Sequence, residues 1–101
     1  MSRISPDEKS DGSFVIDGEL VFDTVPDLLL SSRPLFETPG ATIGLDLHGV
    51  TRGDSAGLAL LVEWLRAARQ GGKTITFRNI PDQMIALAKV SGLDALLQLK
   101  D

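Results

Sequence analysis

The stretch Gly53-Asp54-Ser55-Ala56-Gly57 holds the side chain best placed to do chemistry. It lies between an apolar extended run, Thr42–Val50, and a strongly helical run, Leu58–Gln70. A serine at a strand-to-helix turn sits among free backbone N–H groups, at the positive end of a helix dipole. Three chemistries use that geometry: a hydrolase nucleophile, a phosphate cradle, and a regulatory serine that carries a phosphate.

The letters match G-x-S-x-G, and the strand–turn–helix context suits a nucleophile elbow. The rest of that machinery is missing. His48 is the only histidine; it precedes the serine and reads as an ordinary strand-end residue. No glycine-rich oxyanion loop lies upstream, and 101 residues fall far short of hydrolase size. Gly72-Lys73-Thr74 imitates the end of a Walker A motif, but its leading glycine would fall at Ala67. These residues also leave a helix for a strand, whereas a P-loop leaves a strand for a helix. One histidine, no cysteine and no clustered carboxylates give a metal site little support. The expectation is therefore no catalytic residue, no cofactor and no metal: a binding or regulatory module.

Composition narrows the partners. Lys and Arg number 10 against 14 Asp and Glu, a net charge of −4, and the basic residues are scattered. Binding to nucleic acid through phosphate contacts is disfavoured. No apolar run approaches the roughly 20 residues of a membrane helix, and Met1–Gly12 has no signal-peptide core. The simplest compartment is the cytoplasm, without direct membrane insertion.

The serine needs a strand and a helix to hold it, and the pattern supplies them. Residues 1–12 read as a flexible segment in which Arg3–Ser5 could pair as an edge strand; residues 13–101 read as one domain. Ser13–Asp17 alternates as a strand. Thr24 stands where a helix cap would, followed by Pro26, Asp27 and the stripe Val25, Leu28, Leu29, Leu35. Pro34 should kink or end that helix. Thr42–Leu47 is a strand with Ile43, Leu45 and Leu47 on one face. Asp54 caps a helix that runs to Gln70 and stops at Gly71-Gly72. Thr74–Phe77 is a β-branched strand, Ile80-Pro81-Asp82 opens a third helix, and Asp94–Leu99 reads as a short last one. Strands alternating with helices predict an α/β fold with parallel pairings. So short a chain can cover one sheet face with helices and the other only thinly.

At roughly 100° per residue, Leu58, Leu61, Val62, Leu65 and Ala68 share the core face of the central helix. Leu60 and Trp64 fall on its shoulder. Trp64 either plugs the core margin under a neighbouring helix or stands out as an anchor for a partner. The expectation taken forward is that Leu60 and Trp64 border a partner surface, with Trp64 partly solvated and Ser55 at the edge.

The chain resembles the STAS family, the fold of bacterial anti-sigma factor antagonists, over roughly Phe14 to Leu97. Gly18-Glu19-Leu20 followed by Asp23-Thr24 is similar to the family's strand-to-first-helix signature. Asp54-Ser55-Ala56-Gly57 is similar to its D-[ST]-x-G loop, and Leu87-Ala88 with Ser91-Gly92-Leu93 to its helical end. The resemblance implies a small mixed β-sheet with helices packed mainly on one face. It implies a partner-binding or regulatory site at Asp54, Ser55, Ala56 and Gly57, extended above to Leu60 and Trp64, with Ser55 open to phosphorylation.

Within the family, Gly57–Leu65 and Gln70-Gly71-Gly72 are most similar to the STAS subunits of Mla-type phospholipid-transport ABC systems of Gram-negative bacteria. That resemblance implies a non-catalytic cytoplasmic subunit, peripheral to the inner membrane. Its partner would be the transporter's ATPase subunit (MlaF-like), in a complex that maintains outer-membrane lipid asymmetry. The alternative is an anti-sigma factor antagonist regulated through Ser55. Two positions depart from the family pattern. Val21 stands where antagonists often have an acidic residue, which weakens the alternative, and Gly53 stands where many relatives are apolar.

Overall fold

The computed structural model describes residues 2–9, 12–37 and 39–97. Strands β1 (Arg3–Pro6) and β2 (Ser13–Leu20) form an antiparallel pair, with Ile4 opposite Ile16. Two short helices follow, α1 (Val25–Leu30) and α2 (Arg33–Phe36). Strand β3 (Thr42–Gly53) lies parallel to β2, helix α3 (Ser55–Gln70) crosses over, and β4 (Thr74–Arg78) lies parallel to β3. Helix α4 (Asp82–Val90) follows. The sheet is mixed and four-stranded, in the order β1-β2-β3-β4.

Each parallel connection joins adjacent strands, and the right-handed rule for such crossovers puts their helices on the same side. Burial agrees. Ile43, Leu45 and Leu47 of β3 are buried with Phe14 and Ile16 of β2, whereas Thr42 and His48 are exposed. The core lies between that face and α3, capped by Leu28 and Leu35 from the first helices and Met84 and Ala88 from α4. Among the described residues no helix covers the opposite face, which carries exposed Thr42, His48 and Thr76.

Several boundaries differ from the sequence reading. Strand β3 runs on to Gly53, because β2 also runs on and pairs Gly18 with Val50 and Leu20 with Gly53. His48 is therefore inside a strand rather than at its end. Thr24 does not cap α1 through its side chain. Its hydroxyl instead donates to the Glu19 carbonyl at 2.6 Å and accepts the Val21 N–H at 3.0 Å, clipping the β2–α1 loop. Pro34 neither kinks nor ends α1; Ser31 ends it, and Pro34 sits in the first turn of α2. After α4, residues 94–97 form a turn closed by the Leu97 N–H on the Leu93 carbonyl at 3.0 Å. The remainder of the expected last helix, Gln98 and Leu99, lies outside the described residues.

Candidate docking surface

Asp54 organises the site. Its backbone is extended and its N–H donates to the Leu20 carbonyl at 3.1 Å, so β3 hands over to α3 beside the end of β2. One carboxylate oxygen accepts the N–H groups of Ala56 (2.9 Å) and Gly57 (3.1 Å), the N-cap arrangement that satisfies two otherwise orphaned helix donors. The other accepts the N–H of Phe22 at 3.2 Å, from the β2–α1 loop. Burial works to raise the Asp54 pKa, but the N–H groups of Gly57, Phe22 and Ala56 outweigh it and hold the carboxyl below its ordinary value.

The two glycines of the motif are explained by close approach. A Cβ on Gly57 would run into the Leu20 carbonyl oxygen and Leu20 Cβ, so the first turn of α3 can seat on β2 only with glycine there. A Cβ on Gly53 would run into the Met84 side chain. Met84 is fully buried and fills the space an apolar side chain at position 53 would take, which accounts for that departure from the family pattern.

Ser55 follows the cap, exposed, between two grooves. On one side α1 and α3 enclose about 370 Å³ lined by Phe22, Val25, Leu29, Ala56, Ala59 and Leu60. On the other, α3 and α4 enclose about 480 Å³ lined by Ser55 itself with Gln83, Ala86, Leu87 and Val90. Phe22 is 77% exposed, Leu30 82% and Val90 86%. Ser55 thus lies at the junction of two apolar grooves, in the first turn of a helix that the Asp54 carboxylate caps.

The sequence-predicted residues divide. Asp54, Ser55, Ala56 and Gly57 sit together at the start of α3. Leu60 and Trp64 do not stand on the shoulder as solvated residues. They are 2% and 1% exposed, so the expected partial solvation of Trp64 is overturned. Helix α1 packs against α3 beside Leu60, and both side chains belong to the buried core cluster. Leu60 reaches the surface only as the floor of the α1–α3 groove. The Trp64 indole Nε1 is buried without a hydrogen-bond partner. Phe22, Leu29 and Val90 were missed. One signal was present: Leu28-Leu29-Leu30 places three leucines at successive steps of roughly 100°, so one short helix cannot bury all of them.

His48 faces elsewhere. Its backbone N–H donates to Asp46 Oδ1 at 2.9 Å and its ring Nδ1 lies 3.1 Å from the same oxygen, on the helix-free side of the sheet. Among the described residues no group of His, Cys, Asp and Glu has the geometry to hold a metal ion. No helix among them is long and apolar enough to cross a membrane.

The fold and the capped serine loop define a STAS domain, and the chain belongs to that family: the family model described as "Mlab, STAS domain" matches residues 7–98. Among individual proteins, the chain is 30% identical over 86 residues to the anti-sigma-B factor antagonist of Staphylococcus aureus (strain NCTC 8325 / PS 47), covering 85% of this chain and 80% of that protein. It is 37% identical over 51 residues to the intermembrane phospholipid transport system binding protein MlaB of Escherichia coli (strain K12), covering 50% of this chain and 53% of that one. The solved structure of the unphosphorylated anti-sigma factor antagonist SpoIIAA superposes with a TM-score of 0.68 at 15% identity, over 100% of both chains, a likeness of fold.

Proposed function

We propose that this chain is a non-catalytic STAS subunit that binds and supports the ATPase of an Mla-type phospholipid-transport ABC transporter. The observation that carries this reading is the apolar surface around Ser55, where Phe22 is 77% exposed beside a groove of about 370 Å³. A large exposed aromatic next to a preformed groove serves a protein partner rather than a small substrate. The match to MlaB over 51 residues supports a transporter ATPase as the partner. On this reading the chain works in the cytoplasm, reaches the inner membrane only through the transporter complex, and needs no metal or cofactor.

The match to the Staphylococcus antagonist supports a second reading, because it spans 85% of this chain. In that reading a serine kinase is the partner and phosphorylation of Ser55 controls binding. Co-expression separates the two. The first expects the untagged chain to copurify with a tagged ATPase from a phospholipid transporter, and Phe22→Ser to abolish that capture. Failure to bind the ATPase, together with capture by a kinase and incorporation of phosphate at Ser55, would replace it with the second. Genomic neighbourhood is an independent check: a permease, an ATPase and a periplasmic lipid-binding gene for the first, a sigma factor and a serine kinase for the second.

A further inference from the structure

The two edges of the sheet are finished differently. Edge strand β1 has four residues, begins with exposed Arg3 and ends in Pro6, features that keep a sheet edge from recruiting another strand. Edge strand β4, Thr74-Ile75-Thr76-Phe77-Arg78, has neither a proline nor a charge before its last residue. It is β-branched or aromatic at every position before Arg78, the composition that pairs most readily.

The direction of its free groups follows from the ladder. The Thr74 N–H donates to the Ala41 carbonyl at 2.8 Å, towards β3. In a parallel ladder alternate residues face the same neighbour, so Thr76 and Arg78 also face β3 while Ile75 and Phe77 turn their N–H and C=O outwards. An antiparallel copy of this strand, centred on Thr76, sets Ile75 opposite Phe77 of the second copy, and Phe77 opposite its Ile75. Each opposed pair then exchanges both of its backbone hydrogen bonds. Thr74 falls opposite Arg78, so no like charges meet, and Thr76 meets its own counterpart at the axis. Half-buried Phe77 would gain cover beside Ile75 of the second copy.

We infer that the free edge of β4 pairs antiparallel with β4 of a second copy of this chain, about a two-fold axis through Thr76. The contact is small, so the dimer is weak, with a dissociation constant on the order of 0.1–1 mM. No β4 residue lines either groove beside Ser55, so the docking surface stays open in the dimer.

Sedimentation equilibrium of the whole chain, from about 10 μM to 1 mM, tests this. The wild-type mass should rise from one chain towards two. Thr76 is exposed, so Thr76→Lys should keep the wild-type melting temperature while weakening self-association tenfold or more, because it sets two ammonium groups side by side. Thr76→Glu should do the same alone, and an equimolar mixture of the two variants should restore a dimer containing one of each. A mass of one chain throughout the wild-type series would overturn the inference. So would Thr76→Lys associating like wild type, and Phe22→Ser abolishing the dimer would then place the contact in the α1–α3 groove instead.

Discussion

The Asp54 carboxylate holds the Phe22 backbone: one oxygen accepts the Phe22 N–H at 3.2 Å while the other caps the helix that begins at Ser55. The exposed aromatic and the exposed serine are therefore positioned by one side chain. Replacing Asp54 by Ala should destabilise the domain by about 0.5–2 kcal/mol, the usual loss of a helix cap. It should also weaken partner binding beyond what the stability change explains, because the Phe22 loop is released. Thermal melting and affinity measured on the same variant check both.

The same carboxyl has a pH signature. Its pKa is lower folded than its ordinary value of 3.8, so the stability it contributes is fully present above that value and is lost as the pH falls through the lowered one. Asp46 behaves alike. Burial works to raise its pKa, but hydrogen bonds from Asn79 and His48 prevail and lower it. The destabilisation caused by Asp54→Ala should be constant from neutral pH to about pH 5 and shrink in stronger acid. A penalty that stays the same down to pH 2 would contradict the assignment.

Ser55 separates folding from binding. A charge in the first turn of α3 interacts with the helix dipole by roughly 0.3–1 kcal/mol, partly offset by neighbouring Asp54. Ser55→Asp should therefore melt near the wild-type temperature. Desolvated in an interface without a counter-charge, that carboxylate would cost about 2–5 kcal/mol, so affinity for the ATPase should fall thirtyfold or more. Ser55→Ala should cost much less. Wild-type affinity in Ser55→Asp would remove Ser55 from the contact surface.

Trp64 is the only tryptophan and is fully enclosed. Its emission should lie at the blue end in the free domain and stay there when the partner binds. Trp64→Ala should cost about 3–5 kcal/mol, as large core truncations do. A red emission that moves blue on binding would return this residue to the surface.

Phe22→Ser and Leu29→Ser remove side chains that are 77% and 46% exposed, so both variants should fold with little loss of stability. Each should lower partner affinity tenfold or more if the α1–α3 groove is the contact. Titration calorimetry against the ATPase measures this directly.

What the sequence made legible was local. Asp54 declares itself as a cap because its short acceptor precedes a clean apolar stripe, and the shortness of the chain points to a sheet covered on one side. The burial of Trp64 depends on how the other elements pack around α3, which no local pattern encodes. The second half of β3 was hidden for a similar reason. The sequence pattern carries the strand only over Thr42–Leu47, yet a Cβ on Gly49 would collide with the Asp17 carboxylate, so its glycine serves strand pairing. Phe22 carries no local signal, because its place beside the groove depends on where α3 lies.

The unequal lengths of β3 and β4 carry a consequence for how the domain breathes. From Gly44 to Asp46, β3 is flanked by strands on both sides; from Gly49 to Gly53 it is paired with β2 alone. Local opening should therefore be easiest at the end that carries Asp54 and Phe22 and hardest in the Gly44–Asp46 stretch. Amide exchange along this one strand should quicken from Asp46 towards Gly53. A partner that clamps the Ser55 end would flatten that gradient, so part of its effect would be a slower fluctuation rather than a new shape.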